Sequence, residues 1–354
     1  MRLQGCFAVL IACCAVAPAS AEVTTIRQAV EGFVRPSYAA FADAAKANRE
    51  RVDALCAAPS VEALEAARKA FVDNVKAWST VETIRIGPIT EQNRLERVLY
   101  WPDRKGIGLK QVQAAIANED ESAAAAETLA GKSVAMQGLG ALEFALFGSD
   151  SEKLAGSQSA YRCRYAAAIS KNLETIASQV SAEWSKPDGF AALWINPGPD
   201  NPLYRDEREA ATDFIDIFIQ GLQLVHDVRL GGFLGAQPGD DKPKQAIFWR
   251  SNATLAALGA DLDGLKRNFD ASGLGGRLKG ENAYIGQSID FEFANAAKAL
   301  AGLEAPIADI LKDPADRGKL DYLRLVTSSL QELYGVRLAA ALGLSAGFSS
   351  LDGD

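Results

Sequence analysis

Apolar side chains recur at spacings of three and four residues along most of this chain, with no convincing run of alternating β-branched residues. This period is that of an α-helix with one buried face. The clearest case follows Ser60, a favourable N-cap, and ends at Gly87-Pro88. Its apolar stripe consists of Leu64, Ala67, Phe71, Val75, Trp78 and Val81. The pattern therefore predicts an all-α protein.

Long helices are predicted on both sides of one segment that is rich in proline and glycine. This segment, residues 187–203, is typical of a linker. Besides the helix that follows Ser60, the predicted long helices are 25–57, 121–147, 159–184, 204–230, 244–269, 288–311 and 314–342. Four on each side predict two four-helix-bundle-like domains, residues 22–186 and residues 204–354, the second ending in a short tail.

The first 21 residues have a different pattern. Arg2 precedes an apolar run at 6–16, and small residues at 19–21 precede the charged Glu22. This order is typical of a cleaved signal peptide, and the apolar run is too short to span a bilayer. We therefore expect a periplasmic or secreted protein with no transmembrane span. Two alternatives stay open, a buried N-terminal helix and a lipid anchor on Cys13.

Charge and cysteine content narrow the partners and the compartment. The formal net charge of −8 argues against nucleic acid, which needs a basic face, and favours cations. Three of the five cysteines lie in the predicted signal. In an oxidising compartment the remaining two, Cys56 and Cys163, are predicted to form a disulfide, the alternative being two separate buried thiols.

Glu143 interrupts the apolar stripe of the helix predicted at 121–147. It shares a helix face with Met136, Leu139 and Leu146. A buried carboxylate must be paired, bind a metal or take up a proton. The sequence leaves open an ion pair with an arginine, such as Arg85, Arg94 or Arg97, and a role in metal or ligand binding.

His226 is the only histidine, and its helix face also carries Leu222 and Leu230. It is either a hydrogen-bonded core residue or a metal ligand. A single histidine excludes the HExxH zinc motif and any histidine-rich zinc site. If a metal binds directly, oxygen ligands such as Glu143 and Glu82 favour a hard cation such as ferric iron, with His226 as a nitrogen donor.

Two further groups combine aromatic, charged and hydroxyl side chains. Trp78, Glu82 and Arg85 share one helix face at spacings of four and three residues. The second group is Trp249, Arg250 and Ser251. The tryptophans could be core and the arginines rim, or the two groups could form a polar pocket where the bundles meet.

Several separated segments resemble the imelysin-like proteins. They are WSTVETIRIGP at 78–88, the WPD ending at 103, QGLGALEFALFG at 137–148, YRCRYA at 161–166, FWRS at 248–251 and LGLSAGFSSLDGD at 342–354. The resemblance implies two four-helix-bundle-like domains with a site near their interface, export, and association with iron uptake. Some members are classed as metallopeptidases for a G-x-H-x-x-E motif, which falls here on Gly138 to Glu143 with Gly140 in the histidine position.

Gly140 removes the nitrogen ligand that a histidine would supply three residues before Glu143. The sequence therefore favours a non-enzymatic, exported binding protein for iron or another metal, with envelope iron-uptake proteins as expected partners. A metallopeptidase and an envelope scaffold that docks a partner protein are the alternatives. The candidate binding residues are Gln137, Gly138, Gly140, Glu143, Trp78, Glu82, Arg85, Trp249, Arg250 and Ser251.

Overall fold

The computed structural model describes residues 21–156 and 159–344. Helices make up the regular structure of these ranges, which contain no β-strand, and the all-α prediction is confirmed. The predicted signal peptide, apart from its last residue, and the end of the predicted tail at 345–354 lie outside the described residues.

The helices follow one another through short turns. The α-helices are α1 (Ala21–Ala29), α2 (Arg35–Ala57), α3 (Val61–Val81), α4 (Arg94–Val98), α5 (Ile107–Ala117), α6 (Ala126–Leu129), α7 (Leu139–Phe147), α8 (Ala160–Trp184), α9 (Phe190–Trp194), α10 (Glu207–Gln223), α11 (Thr254–Ser272), α12 (Leu274–Arg277), α13 (Ala283–Leu300), α14 (Ile307–Ile310), α15 (Pro314–Glu332) and α16 (Ala339–Ala341). The π-helical segments are Val30–Val34, Leu224–Leu230 and Leu333–Leu338. The 3₁₀ turns are Gly87–Asn93, Val134–Met136, Ser151–Ala155, Pro238–Asp240, Pro243–Gln245 and Gly280–Asn282.

The predicted long first helix is present as α1, the π-helical segment Val30–Val34 and α2 without interruption. The wider turn lies directly before Pro36, which has no N–H and clashes with the preceding turn of a regular helix. Along this helix the packing partners change. The first part, α1, packs against α10 and α11, whereas α2 packs against α3 and α8.

The core of the first half lies between α2, α3 and α8. The rings of Phe41 and Trp78 pack with centroids 5.2 Å apart. As predicted, Ser60 caps α3, since its side chain accepts a hydrogen bond from the Ala63 N–H at 3.1 Å. The predicted disulfide is also present and joins Cys56, near the end of α2, to Cys163, near the start of α8.

In the second half, α13 packs against α15, and α10 and α11 lie between this pair and the first half. The ring of Phe218 stacks on Tyr334 at 4.8 Å and meets the edge of Phe269 at 6.2 Å. Between the two halves, the most extensive helix packing is that of α11 against α3. At this contact a Cβ added to Gly264 would lie 2.1 Å from the Thr80 carbonyl oxygen, so the two backbones touch.

Four of the predicted helices are shorter than expected. The one predicted at 288–311 ends at Leu300, before a turn in which Gly302 has a φ angle of 77°, and α3 ends at Val81 rather than at Gly87. The segment 121–147 is divided into α6, a 3₁₀ turn and α7, because Gly138 has an extended backbone and is pressed against the Val98 carbonyl oxygen. The helix predicted at 244–269 begins only at Thr254. Residues before it form turns in which Phe248 and Asn252 have positive φ angles of 54° and 57°.

The predicted linker, residues 187–203, contains the short helix α9 and a fully buried Trp194. Trp194 Nε1 donates a hydrogen bond to the Ala210 carbonyl at 3.1 Å. The division of the chain into domains at this segment stays a prediction. Among the helices of the described residues, none has the length and apolar character needed to cross a membrane.

Candidate functional site

Glu143 lies on α7 and is 4% exposed. Its Oε1 accepts hydrogen bonds from the Arg250 N–H at 3.1 Å, the Ser251 N–H at 3.0 Å and the Ser251 hydroxyl at 2.9 Å. A carboxylate from the first half is therefore held by a backbone turn of the second half. We call Glu143, Trp249, Arg250 and Ser251 the Glu143 cluster.

The turn that carries these donors is itself fixed by hydrogen bonds. The Ser251 hydroxyl also lies 3.1 Å from the Phe248 carbonyl, and the Ala253 N–H donates to the same carbonyl at 3.0 Å. The Arg250 guanidinium stacks on the Trp249 ring at 4.4 Å. The backbone N–H groups therefore point at Glu143 without rearrangement.

Burial raises the pKa of Glu143, while the hydrogen bonds from Ser251 and the charge of Arg250 oppose this rise. Burial lowers the pKa of Arg250, and the Glu143 carboxylate opposes that change. The two shifts have the same origin, because each side chain loses hydration that the other only partly replaces.

An ion pair of Glu143 with Arg85, Arg94 or Arg97, one of the alternatives that the sequence left open, does not occur among the described residues. Arg94 makes two hydrogen bonds to Glu183, at 2.7 and 2.9 Å. Arg97 donates to the side chains of Gln137 and Asn172, at 2.8 and 2.7 Å, and Arg85 interacts with Glu82. Backbone donors supply Glu143 instead, and a sequence pattern gives no direct sign of a backbone donor.

Gln137 and Gly138 act on the start of α7. Gln137 is 1% exposed, accepts from Arg97 and donates to the Lys132 carbonyl at 2.6 Å. A Cβ on Gly138 would lie 2.4 Å from the Val98 carbonyl oxygen. Both residues therefore position the helix that carries Glu143.

Gly140 is exposed in the first turn of α7, one turn before Glu143. A Cβ built on Gly140 would meet no atom within 4 Å. A larger side chain would therefore find open space at this position.

Glu82 belongs to a second buried cluster, the Glu82 cluster, which also contains Arg229 and Asp261. Arg229 Nη2 donates to both Glu82 carboxylate oxygens at 2.7 Å, and its Nε donates to Oε1 at 3.1 Å. Asp261 on α11 is fully buried, with Oδ2 3.9 Å from Arg229 Nε. Arg229 and Asp261 were not among the residues predicted from the sequence. Asp261 gave a signal, since it interrupts the apolar stripe of Ala257, Leu258, Leu262 and Leu265.

Of the two groups singled out in the sequence, the first contributes only Glu82 to the Glu82 cluster, whereas all of the second belongs to the Glu143 cluster. Trp78 is 1% exposed and packs on Phe41, so it belongs to the core. Arg85 is half-buried, and burial lowers its pKa. Glu82 binds Arg229, whereas Trp249, Arg250 and Ser251 surround Glu143.

His226 lies on the π-helical segment Leu224–Leu230 with its side chain 23% exposed. Its Nδ1 is 2.9 Å from the Thr327 hydroxyl, and its Nε2 is 3.8 Å from Asp227 Oδ1. Among the residues with described positions, no three His, Cys, Asp or Glu side chains are grouped to hold a metal ion. A third donor is therefore not grouped with Glu143 and His226 among these residues, and their pairing in a metal site stays a prediction.

A cavity of about 580 Å³, here called the junction cavity, opens between segments of the two halves. Its lining includes Trp101, Arg104, Asp227, Phe233, Lys242 and Lys244. The volume is in the range of small-molecule sites. The Lys244 ammonium lies 5.9 Å from the Trp249 ring, which places the Glu143 cluster beside this cavity.

Comparison with known proteins assigns the family. The family model of imelysin (Peptidase_M75) matches residues 34–333, so the chain belongs to the imelysin family. Iron-regulated protein A of Synechococcus elongatus is 25% identical over 333 residues, covering 91% of this chain and 86% of that protein.

Two solved structures share the fold. An imelysin-like protein from Psychrobacter arcticum has a TM-score of 0.73 and 21% identity, covering 94% of this chain and 98% of that one. A protein assigned as an iron-regulated protein A precursor from Parabacteroides distasonis has a TM-score of 0.73 and 14% identity, covering 91% and 97%. The recognition of the family from the sequence is thereby confirmed.

Proposed function

We propose that this protein is an exported, non-enzymatic binding protein in iron physiology, which takes up a small anionic ligand, such as a carboxylate complex of ferric iron, in the junction cavity. The observation that carries the proposal is the cavity itself, which joins the loop at Trp101 to the π-helical segment Leu224–Leu230. The description of one relative as iron-regulated protein A supports the link to iron.

Three cationic side chains of the cavity lining favour an anion over a bare metal ion, alongside the three carboxylates Asp103, Asp227 and Asp240 that also line it. Arg104, Lys242 and Lys244 line it, and no ion pair of the described residues includes any of the three. Asp103, which also lines it, is already committed, because it accepts hydrogen bonds from the N–H groups of Ile107 and Leu109. Cationic groups outside ion pairs, in a cavity that is also lined by Trp101, suit a ligand with carboxylates and a flat surface.

Peptidase chemistry is a weaker fit to the same residues. A catalytic zinc needs three protein ligands and an open position for water. Gly140 supplies no ligand, and Oε1 of Glu143 already accepts three hydrogen bonds. These two features favour binding without catalysis.

Export of the protein is part of the proposal. The basic, apolar and small-residue order of residues 1–21 is typical of a signal peptide. The disulfide between Cys56 and Cys163 suits an oxidising compartment. The name of the Parabacteroides distasonis relative describes that protein as a precursor.

The test is calorimetric titration of residues 22–354 with ferric citrate, citrate alone and zinc chloride. We expect ferric citrate to bind, and Lys242→Glu with Lys244→Glu to weaken its binding about tenfold or more, since two favourable charges become repulsive. Lys298→Glu, an exposed change on α13 outside the cavity lining, is the matched control. Equal affinity of the double variant and the control for ferric citrate would overturn the proposal. Binding of zinc chloride without binding of ferric citrate would overturn it as well.

A further inference from the structure

Three charged side chains are buried together where α3, α11 and the π-helical segment Leu224–Leu230 meet. The side chains of Glu82 and Arg229 are 4% exposed, and that of Asp261 is not exposed at all. These are the residues of the Glu82 cluster, which lies outside the set that lines the junction cavity. The π-helical segment belongs to both sites, because Asp227 and Val228 line the cavity.

Close backbone packing seals this cluster. Gly264, one turn after Asp261 on α11, lies against the Thr80 carbonyl. Gly221 on α10 lies against Thr83, where an added Cβ would be 3.0 Å from the Thr83 Cβ. These crossings leave no room for an added side chain at either glycine, so α3 and its end lie close to both α10 and α11 beside the cluster.

The hydrogen bonds of the cluster leave one carboxyl group without a donor. All the hydrogen bonds of the Arg229 guanidinium go to Glu82, and Nη1 of this guanidinium has no hydrogen-bond partner. Neither oxygen of Asp261 receives a hydrogen bond. With both acids ionised, the three residues would carry one net negative charge; the half-buried Arg85 interacts with Glu82 and Arg229, whereas Arg229 is the cation that acts on Asp261. A buried carboxylate that receives no hydrogen bond is very costly in a medium of low polarity.

Protonation of one carboxyl group would remove the net negative charge. Burial and the neighbouring Glu82 carboxylate raise the pKa of Asp261 well above its ordinary value, whereas Arg229 opposes the rise. Both acids lie on the same arginine atom, since Arg229 Nε is 3.1 Å from Glu82 Oε1 and 3.9 Å from Asp261 Oδ2. Two buried carboxyl groups this close together commonly hold one proton between them. A protonated Asp261 would donate to Glu82, and the cluster would then be neutral.

Charged groups from the other helices packed on α11 have partners elsewhere. Arg27 of α1 donates to the Ile195 carbonyl at 3.5 Å, and Asp290 of α13 pairs with Lys266 at 3.2 Å. Arg277 of α12 donates to Gln28 and Asp213 of α10 accepts from Tyr204, at 3.0 and 2.8 Å. Within α3 and its end, Arg85 acts on Glu82 and Arg229. Glu82 and Arg229 are therefore the charges that act on Asp261.

We propose that Glu82 and Asp261 share one buried proton, and that this proton, together with Arg229, fastens the cavity-lining π-helical segment to α3 and α11. The cluster is thus a proton-binding site between the two halves. Loss of the proton leaves a buried negative charge, which loosens the attachment of the segment that carries Asp227 and Val228.

The sign of the pH dependence follows from the direction of the shift. The folded-state pKa of Asp261 lies above the unfolded value of about 3.9. Its contribution to stability is therefore fully present below that value and is lost as pH rises toward the folded-state pKa. Asp261→Asn imitates the protonated acid, since its amide can donate to Glu82 at every pH, so it removes this loss.

The first experiment measures thermal unfolding of the whole mature chain between about pH 5 and about pH 9. We expect the melting temperature of Asp261→Asn, relative to wild type, to rise with pH by roughly 2 to 4 °C. Asp263→Asn is the control, because Asp263 is on the same helix, is 58% exposed and pairs with Arg267. A melting-temperature difference between Asp261→Asn and wild type that is the same at every pH would overturn the proposal.

A second measurement does not depend on global stability. The infrared difference spectrum of wild type minus Asp261→Asn at neutral pH should contain the band of a protonated carboxyl group. For residues 224–230, the amide hydrogen-exchange rate of wild type divided by that of Asp261→Asn should rise with pH. The same ratio of exchange rates for α8 should not change with pH. No protonated-carboxyl band, or a level ratio at 224–230, would contradict the proposal.

Discussion

At the scale of single residues, the glutamates Glu82 and Glu143, both buried, keep their carboxylates hydrogen-bonded in different ways. Glu143 accepts hydrogen bonds from two backbone N–H groups and one hydroxyl, whereas Glu82 accepts hydrogen bonds from the guanidinium of Arg229. Backbone donors are fixed by the fold and add no charge, so Glu143 depends on the shape of the turn at 250–251. The hydrogen bonds of Glu143 therefore depend on how the two halves are placed relative to each other.

Removing the Glu143 carboxylate should leave buried donors unsatisfied. We expect Glu143→Ala to lower the free energy of unfolding by about 3 kcal/mol, through the lost hydrogen bonds and the cavity left behind. Glu143→Gln should cost less than about 1 kcal/mol, because its amide oxygen can still accept and the buried charge is gone. Urea denaturation measures both.

The control for this pair is Glu152→Ala, a change at an exposed residue of the first half, expected to alter stability by less than about 0.5 kcal/mol. Equal losses for Glu143→Ala and Glu143→Gln would show that the carboxylate charge, and not the acceptor oxygen, holds the turn.

Gly140 is the position at which this chain departs from the family motif, and its surroundings are open. We expect Gly140→His to fold normally and to raise stability by up to about 0.5 kcal/mol, because a glycine is removed from a helix. Only one other metal donor, Glu143, lies one turn away, so we expect no tight zinc binding. Tight zinc binding by Gly140→His that Glu143→Gln abolishes would reveal a latent metal site.

Sequence reasoning identified Glu143 and Glu82 because each is a carboxylate in an apolar stripe. It could not give their partners, since Arg250 and Ser251 act through backbone N–H groups and Arg229 is far away in the chain. The same stripe argument applied to α11 would have found Asp261. The buried carboxylates of the site could thus be predicted from single helices. The residues with which they pair depend on how the helices cross.

At the scale of elements, α11 shows how one glycine sets the distance between two helices. Gly264 lies against the Thr80 carbonyl, whereas Gly259 on the same helix has only an ordinary contact, 3.6 Å to Leu300 Cδ1. Neither residue has a positive φ angle. The two positions therefore differ in space alone, which makes them a matched pair for mutation.

We expect Gly264→Ala to lower the free energy of unfolding by about 2 to 4 kcal/mol, because the methyl group must push the backbone of α3 away. Gly259→Ala should instead be neutral or stabilise by up to about 1 kcal/mol, as expected for a helix interior. Denaturation midpoints of the two variants decide the matter. Similar behaviour of the pair would mean that α3 and α11 separate easily.

The helices predicted from apolar periodicity are present, but their interruptions were only partly foreseeable. The segment 121–147 has a helical pattern throughout, yet Gly138 takes an extended backbone so that Val98 can approach it. That approach is a tertiary contact, and the periodicity within one helix carries no information about it. The π-helical segment before Pro36 is the contrary case, since the proline itself predicts a local irregularity.

At the scale of the whole molecule, the first helix connects the two predicted bundles. Its α1 portion packs against α10 and α11, and its α2 portion packs against α3 and α8. Phe71 on α3 meets Phe248 of the second half at 6.0 Å. Together with the Glu143 and Glu82 clusters, these contacts join the halves through both apolar and polar groups.

We therefore expect that residues 22–186 and residues 204–354, expressed separately, will not fold cooperatively. The first fragment would expose the apolar side of α1 with the uncompensated Glu82, and the second would expose Arg229 and Asp261, which are buried in the whole chain. Co-expression should restore a helical complex, because the contacts need no covalent link. Calorimetric unfolding and dye binding to exposed apolar surface measure the outcome. A first fragment with a cooperative transition as high as that of the whole chain would show that the bundles are independent, and that the buried charges between them do not hold the molecule together.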